Sequence, residues 1–342
     1  MSEKLSLAIG QPLQLKATTP RATAAFASRV VAATSHTVTV SVPYDQGKVI
    51  LWPVGSRLEI SVAQGAESHS FASEIITRDL GENKTYTVMR PQAISRTAGR
   101  IVSEGMSRVI AVTSGKGGVG KTVVTINLAI ALAAQNKRVF IIDADLGTAN
   151  IDVLLRISTK YNITHLLSGE KTLLEIAAPA PGNIAVIPGG SGLQGLTQMT
   201  ESQFSHLIAS FNQLDGLADI ILVDTGAGIS RDVSNFLQAA DETIVVTTPE
   251  PHAITDAYAI LKVMNNLACK TKQLLVVNRA ENRQEADMAA NRLKGTVSRY
   301  LGREIDYIGF IQDDPLVRRS LKLQQPFLLS DPDSEPTRNI QA

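Results

Sequence analysis

Ser114-Gly115-Lys116-Gly117-Gly118-Val119-Gly120-Lys121-Thr122 follows a short apolar run, Val109–Thr113, and leads into a helical stretch, Thr122–Gln135. The pattern G-x-x-x-x-G-K-T in a strand–loop–helix setting is what phosphate binding requires. Gly115, Gly117, Gly118 and Gly120 let consecutive backbone N–H groups, that of Val119 among them, turn inward around an anion. The helix start at Thr122 and Val123 adds the partial positive charge of aligned peptide dipoles. Lys121 is long enough to reach the β- and γ-phosphates, and the Thr122 hydroxyl suits Mg²⁺. Lys116 is a second lysine in the loop, which a plain phosphate loop does not need.

Acidic strand ends lie downstream. The run Arg138–Asp143 ends in Asp143-Ala144-Asp145-Leu146-Gly147, and Asn150 and Asp152 follow. Carboxylates at i and i+2 share a side of a strand end, at the carboxyl edge where open α/β sheets bind ligands. Strand-end capping is the bland alternative for both. Four apolar residues, Ile220–Val223, precede Asp224; after a phosphate loop this is a Walker B pattern, with Asp224 reaching Mg²⁺ through water. Gly226 and Gly228 just beyond would let a backbone N–H approach a γ-phosphate and register its loss. Leu275–Val277 ends in Asn278-Arg279, whose amide can serve an adenine edge or simply cap the strand. Asn278-Arg279-Ala280-Glu281 departs from a guanine-reading N-K-x-D at Arg279 and Glu281, so ATP rather than GTP is expected.

Two textures divide the chain. From Arg108 onward short apolar runs, Ile184–Ile187, Thr243–Thr247 and Leu274–Asn278 among them, alternate with helical stretches such as Glu201–Leu214 and Thr255–Leu267. That alternation predicts right-handed βαβ units, a mainly parallel sheet and an α/β P-loop NTPase fold. Before it the period is two: Val38, Val40, Val42; Leu58, Ile60, Val62; Phe71, Ser73, Ile75; Tyr86, Val88. Period-two runs between Gly, Pro and Asn turns predict a small all-β barrel or sandwich of five or six strands. The expected domains are a barrel over 1–92, a linker over 93–107, the ATPase over 108–330 and a tail over 331–342.

The bulk composition narrows the function. A net charge of +1 gives the 342-residue chain no overall field towards DNA or anionic lipid. Aromatic content of 4% disfavours reading single strands by base stacking. One cysteine, Cys269, can form neither an internal disulfide nor a cluster site, which fits a reducing cytoplasm and excludes the electron-transfer and cluster-carrier relatives of such ATPases. No apolar run approaches the ~20 residues needed to cross a bilayer.

The segment Lys116–Thr122, K-G-G-V-G-K-T, resembles the deviant Walker A motif of the MinD/ParA family. The resemblance implies an ATPase in which ATP joins two copies of the chain face to face and Lys116 reaches the partner's phosphates. Asp143–Gly147 matches the family's first switch; by that match Asp145 orients or deprotonates the attacking water and Asp143 supports the Mg²⁺ shell. Asp224-Thr225-Gly226-Ala227-Gly228-Ile229-Ser230, Ala239–Glu242, Thr247–Pro251, Ile254–Tyr258 and Gln325-Pro326-Phe327 resemble the FlhG (FleN, YlxH) branch. That branch implies control of flagellar number and placement, with the signal-recognition-type GTPase FlhF or components of the flagellar switch (C-ring) as partners. Nothing like the branch's D-Q-A-x-x-L-R activator precedes Val109, and the acidic end Asp331–Ala342 suits anionic lipid poorly. A cytoplasmic protein is expected, with a peripheral place at the inner membrane face as the alternative.

Residues 10–100 resemble the barrel that precedes PilZ in YcgR-type flagellar brakes, with Pro43, Gly55, Phe71, Pro91 and the pair Arg96 and Arg100 in fitting order. In PilZ proteins such an arginine pair grips cyclic di-GMP. The D/N-x-S-x-x-G strand that completes that site does not follow, and two solvated linker arginines are expected instead. The helix read over Asp314–Gln325 is expected to turn Leu316, Val317, Leu321 and Leu323 inward, with Arg318, Arg319 and Lys322 outward, and to pack on the ATPase core. Two other functional classes share these motifs. A partition ATPase for another cargo would need a basic DNA-binding face, against the neutral balance; no sequence-specific nucleic acid is expected. A binding module would make the barrel the sensor of a ligand, leaving the intact loop and acids without purpose.

Overall fold

The computed structural model describes residues 7–17, 25–34, 36–64, 67–89, 95–97, 107–145, 147, 150–190, 199–214, 217–267, 269 and 271–342. Arg100, the Arg96 side chain and most of the segment 93–107 lie outside the described residues. The chain divides into two compact units. The first holds residues 1–107 together with 172–174 and 199–219; the second holds 108–171, 175–198 and 220–342.

In the first unit alternation closes a barrel. Strands Pro12–Ala17, Ala25–Ala33, Thr37–Ser41, Thr85–Met89, Glu67–Asp79 and Arg57–Gln64 pair antiparallel in that order, and the last returns to the first. Val38, Val40, Val42, Leu58, Ile60, Val62, Phe71, Ile75, Tyr86 and Val88 all point into one apolar core, as period two dictates. The first two strands were not singled out from sequence: Pro12–Ala17 does alternate, with Leu13, Leu15 and Ala17 inward, whereas Ala25–Ala33 buries the polar Ser28 and Arg29. The single tryptophan, Trp52, stacks on Tyr86 with ring centroids 5.9 Å apart. The Tyr86 hydroxyl donates to Ile50 O at 2.9 Å and accepts the Trp52 N–H at 2.6 Å. The helix Glu201–Ser210, capped at both Thr200 and Gln203, packs on strand Ala25–Ala33 in this same unit.

The second unit is an eight-stranded sheet, ordered Ala178–Ala180, Ile184–Ile187, Val139–Ala144, Ile220–Ala227, Arg108–Ser114, Glu242–Thr247, Lys272–Ala280, Asp306–Gln312. All neighbours are parallel except the first pair. This is the expected α/β P-loop architecture, with two edge strands added that sequence did not reveal: Asp306–Gln312 is broken by Gly309 and Ala178–Ala180 by Pro179. The phosphate-loop helix Lys121–Ala134 buries Val124, Ile126 and Ile130 against the sheet core. Residues 331–342, expected as a tail, contain a helix, Glu335–Gln341, whose Pro336 and Thr337 are buried and which packs on Asp306–Gln312.

Asn127 ties the end of the chain to the loop helix. Its Nδ2 donates to Val123 O at 2.9 Å and its Oδ1 accepts the Leu328 N–H at 3.1 Å. Phe327 and Leu328 sit in the core beside it. Asn127→Ala leaves a buried N–H unpaired, costing about 1–3 kcal/mol. The expected result is a lower melting temperature with faster proteolytic loss of residues 327–342, read by thermal denaturation and limited proteolysis.

Candidate nucleotide-binding site

The loop turns because its glycines are where only glycine fits. Gly118 and Gly120 have φ of +82° and +96°, values that cost a side-chain-bearing residue about 1–2 kcal/mol. A Cβ on Gly115 would collide with the Asp256 carbonyl, and one on Gly120 with the Asn278 amide. The turn is thus pressed between helix Pro251–Asn266, which carries Asp256, and strand Lys272–Ala280, which carries Asn278.

Beneath the loop two strands bring two acids level. Asp143 and Asp224 are register partners on adjacent parallel strands, and both are buried. Thr122 Oγ1 donates to Asp224 Oδ2 at 2.7 Å, and Thr125 Oγ1 lies 3.2 Å from Asp224 Oδ1. Asp143 accepts three backbone N–H groups, those of Asp145, Asn150 and Ile151, at 3.1–3.3 Å. Burial still dominates. It raises Asp143 to about 8, with repulsion from Asp224 adding to it. It raises Asp224 to about 6, against the pull of the Thr122 and Thr125 hydroxyls and Lys121. The charge of Lys121 does not fully compensate two buried carboxylates held this far above their ordinary range. Among the described residues no group of three His, Cys, Asp or Glu side chains could hold a metal ion. A hard cation here would draw the rest of its oxygen ligands from phosphate and water, as Mg²⁺ does. The glycine cradle and the donor set of Thr122, Asp224 and Asp143 fit a Mg²⁺–nucleotide.

The remaining residues expected at the site lie in differing surroundings. Lys121 is buried at the head of its helix and interacts with Asp224. Asp145 is half-buried, with its carboxylate over Gly226. Lys116 is exposed and makes no ion pair among the described residues. Gly117, Val119 and Val123 line the turn and the first helical residues. Asn278, expected to meet a base or cap a strand, donates from Nδ2 to Val119 O at 2.7 Å and so braces the loop. Arg279 bulges outward with φ +57°. Beside them opens a cleft of about 280 Å³ lined by Gly120, Val123, Asn278, Arg279, Asp313 and Arg318. Three contributors were missed. Thr125 lies three residues beyond Thr122, on the same helical face, which was the available signal; Asp256 and Arg318 approach from distant segments and gave none.

A P-loop fold with a second lysine in its loop and an acid pair under it defines an ATPase of the MinD/ParA class. The comparisons agree. The fold matches MinD of Pyrococcus furiosus at TM-score 0.57 and 24% identity over 69% of this chain and 96% of that one. It matches MinD from the Aquifex aeolicus MinC:MinD complex at TM-score 0.57 and 26% identity, over 69% and 93%. A family described as "AAA domain" matches residues 107–277, and one described as "Flagellar protein YcgR" matches residues 8–91. The antiactivator FleN of Pseudomonas aeruginosa is 37% identical over 69% of this chain and 84% of its own length. The flagellum site-determining protein YlxH of Helicobacter pylori is 37% identical over 64% and 74%. The chain belongs to the MinD/ParA-type ATPases, in the group that includes FleN and YlxH, and carries a YcgR-type barrel at its N-terminus.

Two outcomes follow from this geometry. Gly120→Ala strains the turn and displaces Asn278; nucleotide affinity is expected to fall about tenfold or more, measured with a fluorescent nucleotide. The acid pair also sets a pH dependence. A carboxyl whose folded value lies above its ordinary 3.8 stabilises the fold only while protonated, so its contribution is full below about pH 4 and is lost as pH rises through about 6 for Asp224 and about 8 for Asp143. Asp224→Asn cannot ionise. Its melting temperature without nucleotide, relative to the unsubstituted chain, is expected to climb between pH 5 and pH 8; a difference independent of pH would contradict the assignment.

Proposed function

We propose that this chain is an ATP-dependent dimerisation switch, with slow hydrolysis, that sets flagellar number or placement. The observation that carries the reading is the pairing of a buried lysine, Lys121, with an exposed one, Lys116, that makes no ion pair among the described residues, in a single phosphate loop. Lys121 serves the chain's own phosphates. Lys116, exposed in one copy, suits the phosphates of a second copy facing it, where it would neutralise charge developing on the leaving oxygen.

Bound Mg²⁺ would withdraw charge from the phosphate oxygens. Thr122 and Asp224 would hold it, Asp224 through water, and Asp143 would support the shell. The half-buried Asp145 carboxylate would accept a hydrogen bond from the attacking water and orient it. Gly226, beside Asp145, would let the backbone after Asp224 follow the γ-phosphate. The cleft at Asn278 and Arg279 would take the base. Loss of the γ-phosphate would then release the segments around Asp145 and Gly226, and the two copies would part.

The flagellar assignment is supported by FleN, named an antiactivator, and YlxH, named flagellum site-determining, and by the YcgR-type barrel. Partners of this reading are a second copy of the chain, a signal-recognition-type GTPase such as FlhF, or components of the flagellar switch. This reading places the chain in the cytoplasm, with a peripheral position at the inner membrane face as the alternative. No helix among the described residues is long and apolar enough to cross a membrane.

Lys121→Ala should abolish ATP binding. Lys116→Ala should keep ATP affinity and lose hydrolysis by about 100-fold. Asp145→Ala should trap an ATP-bound dimer, seen on a sizing column with saturating ATP and Mg²⁺; a monomer there would sink the dimerisation reading.

A further inference from the structure

Helix Arg283–Leu301 turns Ala286, Ala289, Ala290, Leu293 and Val297 inward, and it packs on strands Lys272–Ala280 and Asp306–Gln312. Its opposite face is exposed. Met288, Arg292, Gly295 and Arg299, at i, i+4, i+7 and i+11, form one stripe there. Over about 17 Å of helix that face departs from an ordinary solvated one in charge, in apolar exposure and in a glycine.

From Met288 to Leu301 the helix carries Arg292, Lys294 and Arg299 and no carboxylate, in a chain whose net charge is +1. None of these cations makes an ion pair among the described residues. Tyr300 and Met288, 65% and 60% exposed, are the two most exposed large apolar side chains among the described residues. The Arg299 guanidinium lies 5.4 Å from the Tyr300 ring centre, a cation and a ring paired at the surface. Arg, Met and Tyr are enriched where protein surfaces meet, and acids are depleted there. Gly295 adds a separate observation. Glycine is a poor helix former, and a Cβ at this position would meet nothing within 4 Å. The fold itself therefore gives no reason for a glycine. Close approach from outside does, because the spacing of two helices, about 8 Å at its shortest, depends on the side chains at the crossing.

We propose that this face docks an acidic amphipathic helix of a partner protein, crossing over Gly295. The partner's carboxylates would take Arg292 and Arg299 in two-pronged hydrogen bonds, and its apolar side chains would cover Met288 and Tyr300. The three cations neutralise few phosphates of a duplex. They also fall short of the clusters of about four to eight that mark a lipid-binding segment. A phosphate backbone would leave Met288 and Tyr300 uncovered. None of these residues lines the nucleotide cleft, so docking does not depend on the dimerisation reading.

The test is a display library of random peptides of about 16 residues, long enough to span the stripe as a helix. It is panned on the full chain and counter-selected against Gly295→Leu. Surviving peptides are synthesised with a fluorophore and titrated by anisotropy. They should carry Asp or Glu around Leu, Ile or Phe and bind with a Kd of about 10 µM or tighter. Arg292→Glu and Arg299→Glu should each weaken them about tenfold or more. Melting curves of these two variants should match the unsubstituted chain, which separates loss of the face from loss of the fold. Gly295→Ala should raise the melting temperature by about 2 °C and still weaken peptide binding. An empty selection, survivors without acids, or binding unchanged in Arg292→Glu overturns the docking surface. So does a duplex of about 20 base pairs, or a phosphatidylglycerol vesicle, that binds the full chain more tightly than any peptide and loses its hold in Arg292→Glu.

Discussion

Two carboxylates side by side under a glycine turn constrain everything around them. Asp143 and Asp224 are level on neighbouring strands and screened from water, and neither side chain by itself neutralises the other. The chain answers this locally with three backbone N–H groups on Asp143, two hydroxyls on Asp224 and the buried Lys121. Those partners fix the strand ends, the start of the loop helix and the segment through Ile151. The loop above is just as tightly determined, with Asp256 on one side and Asn278 on the other. The site is built from backbone and buried charge, which makes it intolerant of small changes and well matched to a phosphate ligand that brings its own cation.

How much of this the sequence carried depends on distance along the chain. The phosphate loop, the acids at Asp143 and Asp224 and the inward residues of four barrel strands are local patterns, and each reads off a window of a few residues. Strand Ala25–Ala33 does not, because Ser28 and Arg29 are buried for the sake of Ser41, Gly10 and Ser107, up to 78 residues away. Helix Glu201–Ser210 is recognisable as a helix from its capping box, yet its packing on the barrel strand has no local signature. Asn278 shows the same limit in the site itself. A strand-ending amide suggests a base or a cap, and the bond it makes to Val119, 159 residues earlier, comes only from the fold.

The C-terminal segment illustrates a related point. Acidic residues at Asp331, Asp333 and Glu335 suggest a solvated end, but Ser334 caps a helix there and Pro336 starts it. Asp333 and Glu335 face water while Pro336 and Thr337 are buried. Composition described the surface of that segment correctly and said nothing of its anchorage.

That anchorage has a bearing on how copies of the chain can meet. At one margin of the eight-stranded sheet the outer strand has Pro179 in its middle, which has no N–H to offer. At the other margin the last helix lies against Asp306–Gln312, and Asn339 Oδ1 accepts the Gln312 N–H at 3.0 Å. Open margins are templates for continued strand pairing into filaments. With both margins blunted, growth of the sheet from one molecule into the next is opposed.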